Sequence, residues 1–244
     1  MDVDEVVLAG GNVNVVTRVG DTVRRSAGPW TPTIHALLTW VRARGVECVP
    51  EPQGFDDRGR EVLSWIPGQV GGWPVPAWVW AEQTRADAAQ MLRAFHDATV
   101  GFDVPDPVWR SAPRAPAEVV CLNDVAPYNM VHDGERLVGL IDVDMASPGP
   151  RAWDLAYLAY RMCGWCEDMP APDDDTPAGR LDHLLASYGA GAPRPSAVLA
   201  TMVERLDDLA AWTDEHARDT GRPELHEHAA MYRRDARRIE LERR

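Results

Sequence analysis

The sequence contains no lysine; all 25 of its basic residues are arginine. Any site whose chemistry ordinarily uses a lysine must here use arginine or do without. Cysteine is also sparse, four in 244 residues, which is too few for a disulfide scaffold and fits a reducing cytoplasm, where we expect the protein to work. No apolar run reaches the ~18 residues needed to span a bilayer, so no membrane partner is expected. The chain opens with acids (MDVDEVV) where a secretory leader would carry positive charge, so secretion is not expected either.

What remains is a globular composition, 45% hydrophobic and 26% charged, in a chain long enough for one large domain or two small lobes. The net charge is −13. It is unevenly spread: nine acids against seven arginines up to Gly68 give −2, and 29 against 18 thereafter give −11. Such a surface repels phosphate backbones, which disfavours nucleic acid as a partner, and it attracts a cationic small molecule. Charge alone is equally consistent with an acidic surface kept for solubility.

Residues 1–68 read mostly as strand, with Asn12 to Val19 and Thr22 to Arg25 joined by a Gly20-Asp21 turn. Ile34, Leu37, Leu38 and Val41 fall at helical spacing within Thr33 to Arg44. Strands are expected near Val49 to Gly54 and Glu61 to Ile66, and Pro67-Gly68 followed by Gly71-Gly72 marks a lobe boundary. Residues 69–244 read as mostly helical, with a buried hairpin of Val119 to Leu122 and Leu137 to Asp142, turning at Asp133-Gly134. Strands first, then helices enclosing a hairpin, is an α+β pattern.

The informative segment runs from Val119 through Leu122-Asn123-Asp124 and Pro127-Tyr128-Asn129 to Ile141-Asp142-Val143-Asp144. It holds an Asp, an Asn five positions on, and a further Asp closing an apolar strand. Phosphoryl transfer from a nucleotide needs a carboxylate to orient the acceptor hydroxyl and hard oxygen ligands for Mg²⁺. Asp124 fits the first role; Asn129 and Asp142 fit the second. On a strand Asp144 would share the face of Asp142 and add negative charge beside the metal.

This Asp-x4-Asn…Ile-Asp pattern, followed by Trp153-Asp154-Leu155-Ala156, resembles the catalytic and metal-binding loops of the aminoglycoside phosphotransferase and choline kinase-like family. The resemblance implies a protein-kinase-like fold with a small antiparallel N-lobe (1–68) and a mainly helical C-lobe (69–244). It implies a Mg²⁺-dependent kinase that uses ATP or GTP on the hydroxyl of a small molecule, with Asp154 as a structural acid. It puts Gly10, Gly11 and Asn12 where relatives place a glycine-rich loop over phosphates, although the two glycines taken alone read more readily as a plain hairpin turn. Arg24 or Arg25 takes the place of the phosphate-gripping lysine, and Trp65-Ile66 that of the adenine hinge, Trp65 being equally suited to a core.

Three features depart from the family pattern. The lysine is missing, His35 stands near the place of its glutamate partner, and Leu122 stands where relatives carry a histidine two residues before the catalytic aspartate. These departures leave open a non-catalytic or repurposed member that binds a nucleotide or small molecule. Cys163-Gly164-Trp165-Cys166 matches C-x-x-C but ends a helix rather than opening one, so a redox role is not expected.

Overall fold

The computed structural model of the protein describes residues 5–8 and 15–243. Gly10, Gly11 and Asn12 lie outside the described residues. In chain order the elements are β1 (Glu5–Leu8), β2 (Val16–Val19), β3 (Thr22–Arg25), α1 (Thr31–Arg42), β4 (Pro52–Phe55), β5 (Glu61–Ser64) and β6 (Gln69–Val70). Next come α2 (Glu82–Thr99), β7 (Val119–Cys121), β8 (Met130–His132), β9 (Leu137–Leu140) and β10 (Ser147–Gly149). Four helices close the chain: α3 (Arg151–Met162), α4 (Pro177–Tyr188), α5 (Pro195–Thr220) and α6 (Leu225–Glu242). The chain divides into two compact units, 1–76 with 90–150 and 77–89 with 151–244.

The first unit holds every strand among the described residues. An antiparallel sheet runs in the order β1-β2-β3-β5-β4. Val19 faces Thr22, which leaves Gly20 and Asp21 as a two-residue turn. Gly20 has φ 59°, a left-handed value that such turns require and glycine adopts without a steric penalty. Helix α1 carries a proline in its first turn and Arg42 in its last, where a cation meets the negative end of the helix dipole. Its Ile34, Leu37, Leu38 and Val41 are all at most 1% exposed, each worth about 1.5–3 kcal/mol of transfer free energy. The strand expected near Val49 to Gly54 forms three residues later, because Val49 is drawn into the core.

Two smaller sheets carry the loops of interest. β7 pairs with β10, and β8 lies between β6 and β9. Thr99 at the end of α2 accepts the Val120 N–H at 3.0 Å, which ties β7 to the helix. β9 ends at Leu140 rather than running on to Asp142. The Ile141 N–H turns to the Asn129 carbonyl at 2.9 Å, Asp142 adopts φ 59°, and Val143–Met145 form a 3-10 turn. Asp142 and Asp144 are therefore not alternate residues of a strand.

Gly71 fixes a further point of this unit. Its N–H donates to the Pro127 carbonyl at 2.9 Å, and a Cβ on it would lie 2.7 Å from that same oxygen. Only glycine allows this approach.

In the second unit α3 is almost wholly buried, from Trp153 to Tyr160 and at Met162. The Tyr160 hydroxyl donates to Asp235 on α6 at 2.8 Å, and the Arg205 guanidinium of α5 lies 4.3 Å from the Tyr157 ring centre. Val198, Met202, Leu206 and Ala210 of α5 join Ala229, Ala236 and Ile239 of α6 in the core. Gly221 ends α5 in the left-handed conformation, a common helix stop.

Candidate active site

Strand β7 delivers Leu122, Asn123 and Asp124 to a loop that ends in the 3-10 turn Pro127–Asn129. Asn129 is buried, and its Nδ2 donates twice to Asp124, to the main-chain oxygen at 2.9 Å and to Oδ2 at 3.0 Å. These bonds fix the amide so that its oxygen is the atom that would meet a cation. The other carboxylate oxygen of Asp124 accepts the Tyr128 hydroxyl at 2.6 Å. The aspartate is thus held at both oxygens by side chains of its own loop.

The second half of the site centres on Arg25, which is 7% exposed. Its guanidinium reaches three carboxylates, donating to Glu61 through Nε, to Asp142 Oδ1 at 2.6 Å and to Asp144. Arg110 adds a longer contact to Asp144 at 3.4 Å, and His35 Nε2 lies 3.1 Å from Glu61. Burial works against the charge of Arg25, but the Asp144, Glu61 and Asp142 carboxylates outweigh it and hold the guanidinium above its ordinary pKa. Burial pushes the Asp144 carboxyl above the usual carboxylate range, against the pull of Arg25. Three carboxylates face two guanidiniums, so the cluster retains a negative surplus suited to a divalent cation. Asp142 is the accessible member, its side chain 49% exposed, while Glu61 and Asp144 are buried.

Adjacent arginines of β3 point to opposite faces of the sheet. Arg25 joins Asp142 and Asp144, whereas Arg24 turns to Thr22 and lies 3.8 Å from Asp56. Trp65 donates its main-chain N–H to Asp21 at 2.9 Å and lies beneath Arg18, 4.8 Å from the ring centre, while Ile66 packs over Gly139.

Sequence reasoning missed three participants. Glu61 supplies the acid partner of Arg25 from the neighbouring strand, directly opposite it in register, rather than from α1. An acid at the start of one strand and an arginine at the end of its antiparallel neighbour is the signal that could have revealed it. Asn123, at φ 65°, donates to the Met145 carbonyl at 2.7 Å and to the Ser147 hydroxyl at 2.8 Å. It ties the Asp124 loop to the Asp142–Asp144 segment, while Leu122 beside it is buried and apolar. Tyr128 is the third, a phenol within hydrogen-bond reach of the candidate base.

With this geometry in hand, the chain can be set beside known proteins. Residues 102–197 match the family model described as the phosphotransferase enzyme family. The trifolitoxin immunity protein of Rhizobium leguminosarum bv. trifolii is 39% identical over 164 residues, 64% of this chain and 61% of that protein. A choline/ethanolamine kinase family protein from Mesorhizobium loti superposes with a TM-score of 0.69 at 18% identity, covering 98% of this chain and 90% of the other. An amicoumacin kinase in complex with AMP-PNP, Ca²⁺ and its ligand gives 0.67 at 15% identity, with 98% and 88% covered. The fold is the α+β, protein-kinase-like fold of these proteins, and the resemblance to the phosphotransferase family extends over residues 102–197.

Proposed function

We propose that the protein is a small-molecule kinase that transfers a phosphoryl group from ATP or GTP, with Mg²⁺, to a hydroxyl of a small, cationic, hydrophilic acceptor. The observation that carries this reading is the pairing of a pre-positioned Asp124 with an oxygen-rich cluster around Asp142 in a single compact unit. The family match over residues 102–197 supports it, as does the likeness to a kinase bound to a nucleotide analogue and a divalent cation.

In this reading Asp124 accepts the hydrogen bond of the acceptor hydroxyl and takes its proton as the new P–O bond forms. Asn129 through its amide oxygen and Asp142 through its accessible carboxylate would hold Mg²⁺; both offer the hard oxygens this ion prefers. The nucleotide would supply the phosphoryl group, its bond from the γ-phosphorus to the β-bridging oxygen breaking as the new one forms, and Mg²⁺ would neutralise the charge that develops. Arg25 keeps Asp142 and Asp144 oriented, and its planar guanidinium is a candidate phosphate contact once one of these carboxylates turns to the metal. Arg24, Trp65, Ile66, Gly10, Gly11 and Asn12 remain candidates for nucleotide contacts. The −11 balance beyond Gly68 favours a cationic acceptor.

A second reading rests on Leu122 and on Arg25, which already occupies one oxygen of the Asp142 carboxylate that a metal would use. Under it the protein binds a nucleotide or small molecule without turnover. The relative named for immunity to trifolitoxin is compatible with either, since a toxic molecule can be modified or sequestered. Calorimetry with ATP and GTP, with and without Mg²⁺, followed by nucleoside diphosphate release across amino sugars, nucleosides and amino alcohols, tests the proposal. Metal-dependent binding with turnover of one acceptor supports the kinase. Binding without turnover of any acceptor favours the second reading.

A further inference from the structure

The contact between Tyr128 and Asp124 goes beyond the pattern that relates this chain to kinases. Asp124 Oδ2 is engaged by Asn129 at 3.0 Å, on the side of the candidate metal ligand. Oδ1 accepts the Tyr128 hydroxyl at 2.6 Å. An alcohol about to be phosphorylated must donate its hydroxyl hydrogen to this same carboxylate, at the same kind of distance. The phenol is chemically a hydroxyl donor, as the acceptor is. It also belongs to a residue that is 38% exposed, although its neighbours Pro127 and Asn129 are buried. A half-exposed ring on a buried turn can swing away without opening the core.

We propose that Tyr128 is a specificity-determining latch, whose phenol stands on Asp124 in the acceptor's place and keeps water off the carboxylate until an acceptor displaces it. This rests on the reading of Asp124 as the base. The competing reaction is hydrolysis. A water oxygen forms the bond to the γ-phosphorus, the bond from that phosphorus to the β-bridging oxygen breaks, and the water proton passes to Asp124. Nucleoside diphosphate and inorganic phosphate leave. While the phenol occupies Oδ1, a water cannot take that position and the reaction is suppressed. An acceptor able to place a hydroxyl there and to stabilise the displaced ring elsewhere gains access, so the latch selects acceptors as well as excluding water.

The test measures nucleoside diphosphate release from Mg·ATP and Mg·GTP with no acceptor present. Tyr128→Phe keeps the ring and removes the donor, and should hydrolyse nucleotide about tenfold faster than wild type, the factor expected from freeing a charge-assisted hydrogen bond. Adding Asp124→Asn to that variant should return the rate to the wild-type level or below. A purely structural role for Tyr128 predicts the opposite sign, a slower or unchanged reaction. Hydrolysis by Tyr128→Phe at or below the wild-type rate, with nucleotide affinity by calorimetry and thermal midpoint retained, overturns the latch while leaving the kinase reading intact. Failure of the wild-type protein to bind either nucleotide overturns both.

Discussion

Arg25 and Glu61 face each other across the β3–β5 ladder and are joined by a buried ion pair. In a chain without lysine, the proposed kinase reading gives this pair the part of the lysine and helix-borne glutamate of the kinase pattern. Here the acid comes from the adjacent strand, and α1 contributes His35, which contacts Glu61 rather than the cation. The cation is thereby fixed by sheet register, and its remaining nitrogens reach Asp142 and Asp144.

Removing the cation alone should be costly. Arg25→Ala leaves Glu61 and Asp144 buried without their guanidinium, a loss of about 3–5 kcal/mol for breaking one side of a buried pair. Urea denaturation reads this directly. Arg25→Lys should lose less, since it keeps the charge but has no planar fork to bridge three carboxylates. A lysine variant as unstable as alanine would show that charge contributes little here.

Asp142 is best tested with asparagine. Both residues tolerate the left-handed backbone at φ 59°, so the substitution removes charge without straining the turn. Mg²⁺-dependent nucleotide affinity should fall by about tenfold or more, as expected for the loss of a charge-assisted contact, while metal-free affinity changes little. Calorimetry in the presence and absence of Mg²⁺ separates the two. Equal losses in both conditions would move the metal elsewhere.

Asp124→Asn should lower kcat by about 10²–10⁴-fold, the range of general-base effects, with nucleotide affinity kept within a few-fold. If the wild type turns over no acceptor and the variant behaves identically, the binding role is the better account.

Asn123→Gly probes the loop tie. Glycine accepts φ 65° and removes only the side chain that reaches Met145 and Ser147. The loss of these bonds should destabilise the protein by about 1–3 kcal/mol and slow any transfer. Because Asn123 already links the two loops, Leu122→His should not accelerate turnover. A faster Leu122→His variant would show that the asparagine link is incomplete.

The Cys48, Cys163 and Cys166 thiols should be unreactive in the native state. Burial pushes Cys48 up to about 11 and Cys163 and Cys166 up to about 12, so near pH 8 each is protonated and the thiolate that attacks reagents is scarce. Reaction with a chromogenic disulfide should be slow at pH 8, rise with pH, and become complete on unfolding. Rapid native labelling of Cys163 or Cys166 would reopen a redox role.

The spacing of Asp124, Asn129 and Asp142 was legible because side-chain type and position along the chain are enough to state it. The β2–β3 hairpin was legible for a similar reason, since Gly20 marks its turn locally. Glu61 was not, because pairing it with Arg25 requires knowing which strands adjoin and in which register, 36 positions apart in the chain. The early end of β9 was hidden too: apolar periodicity continues through Ile141, and nothing in it announces that Asp142 leaves the strand. Asn123 and Tyr128 occupied unspecified positions of the motif. Their roles come from hydrogen bonds that exist only once the 3-10 turn has folded.

Gly71 has no functional atom, yet its missing side chain is what lets the main chain press against Pro127. An added methyl would push on the very turn that presents Tyr128 and Asn129. In a saturation mutagenesis screen, this position would therefore score with the charged residues of the centre rather than with the linker around it. Inactive variants found there would report a displaced turn, and a search for revertants should recover compensating changes at Pro127.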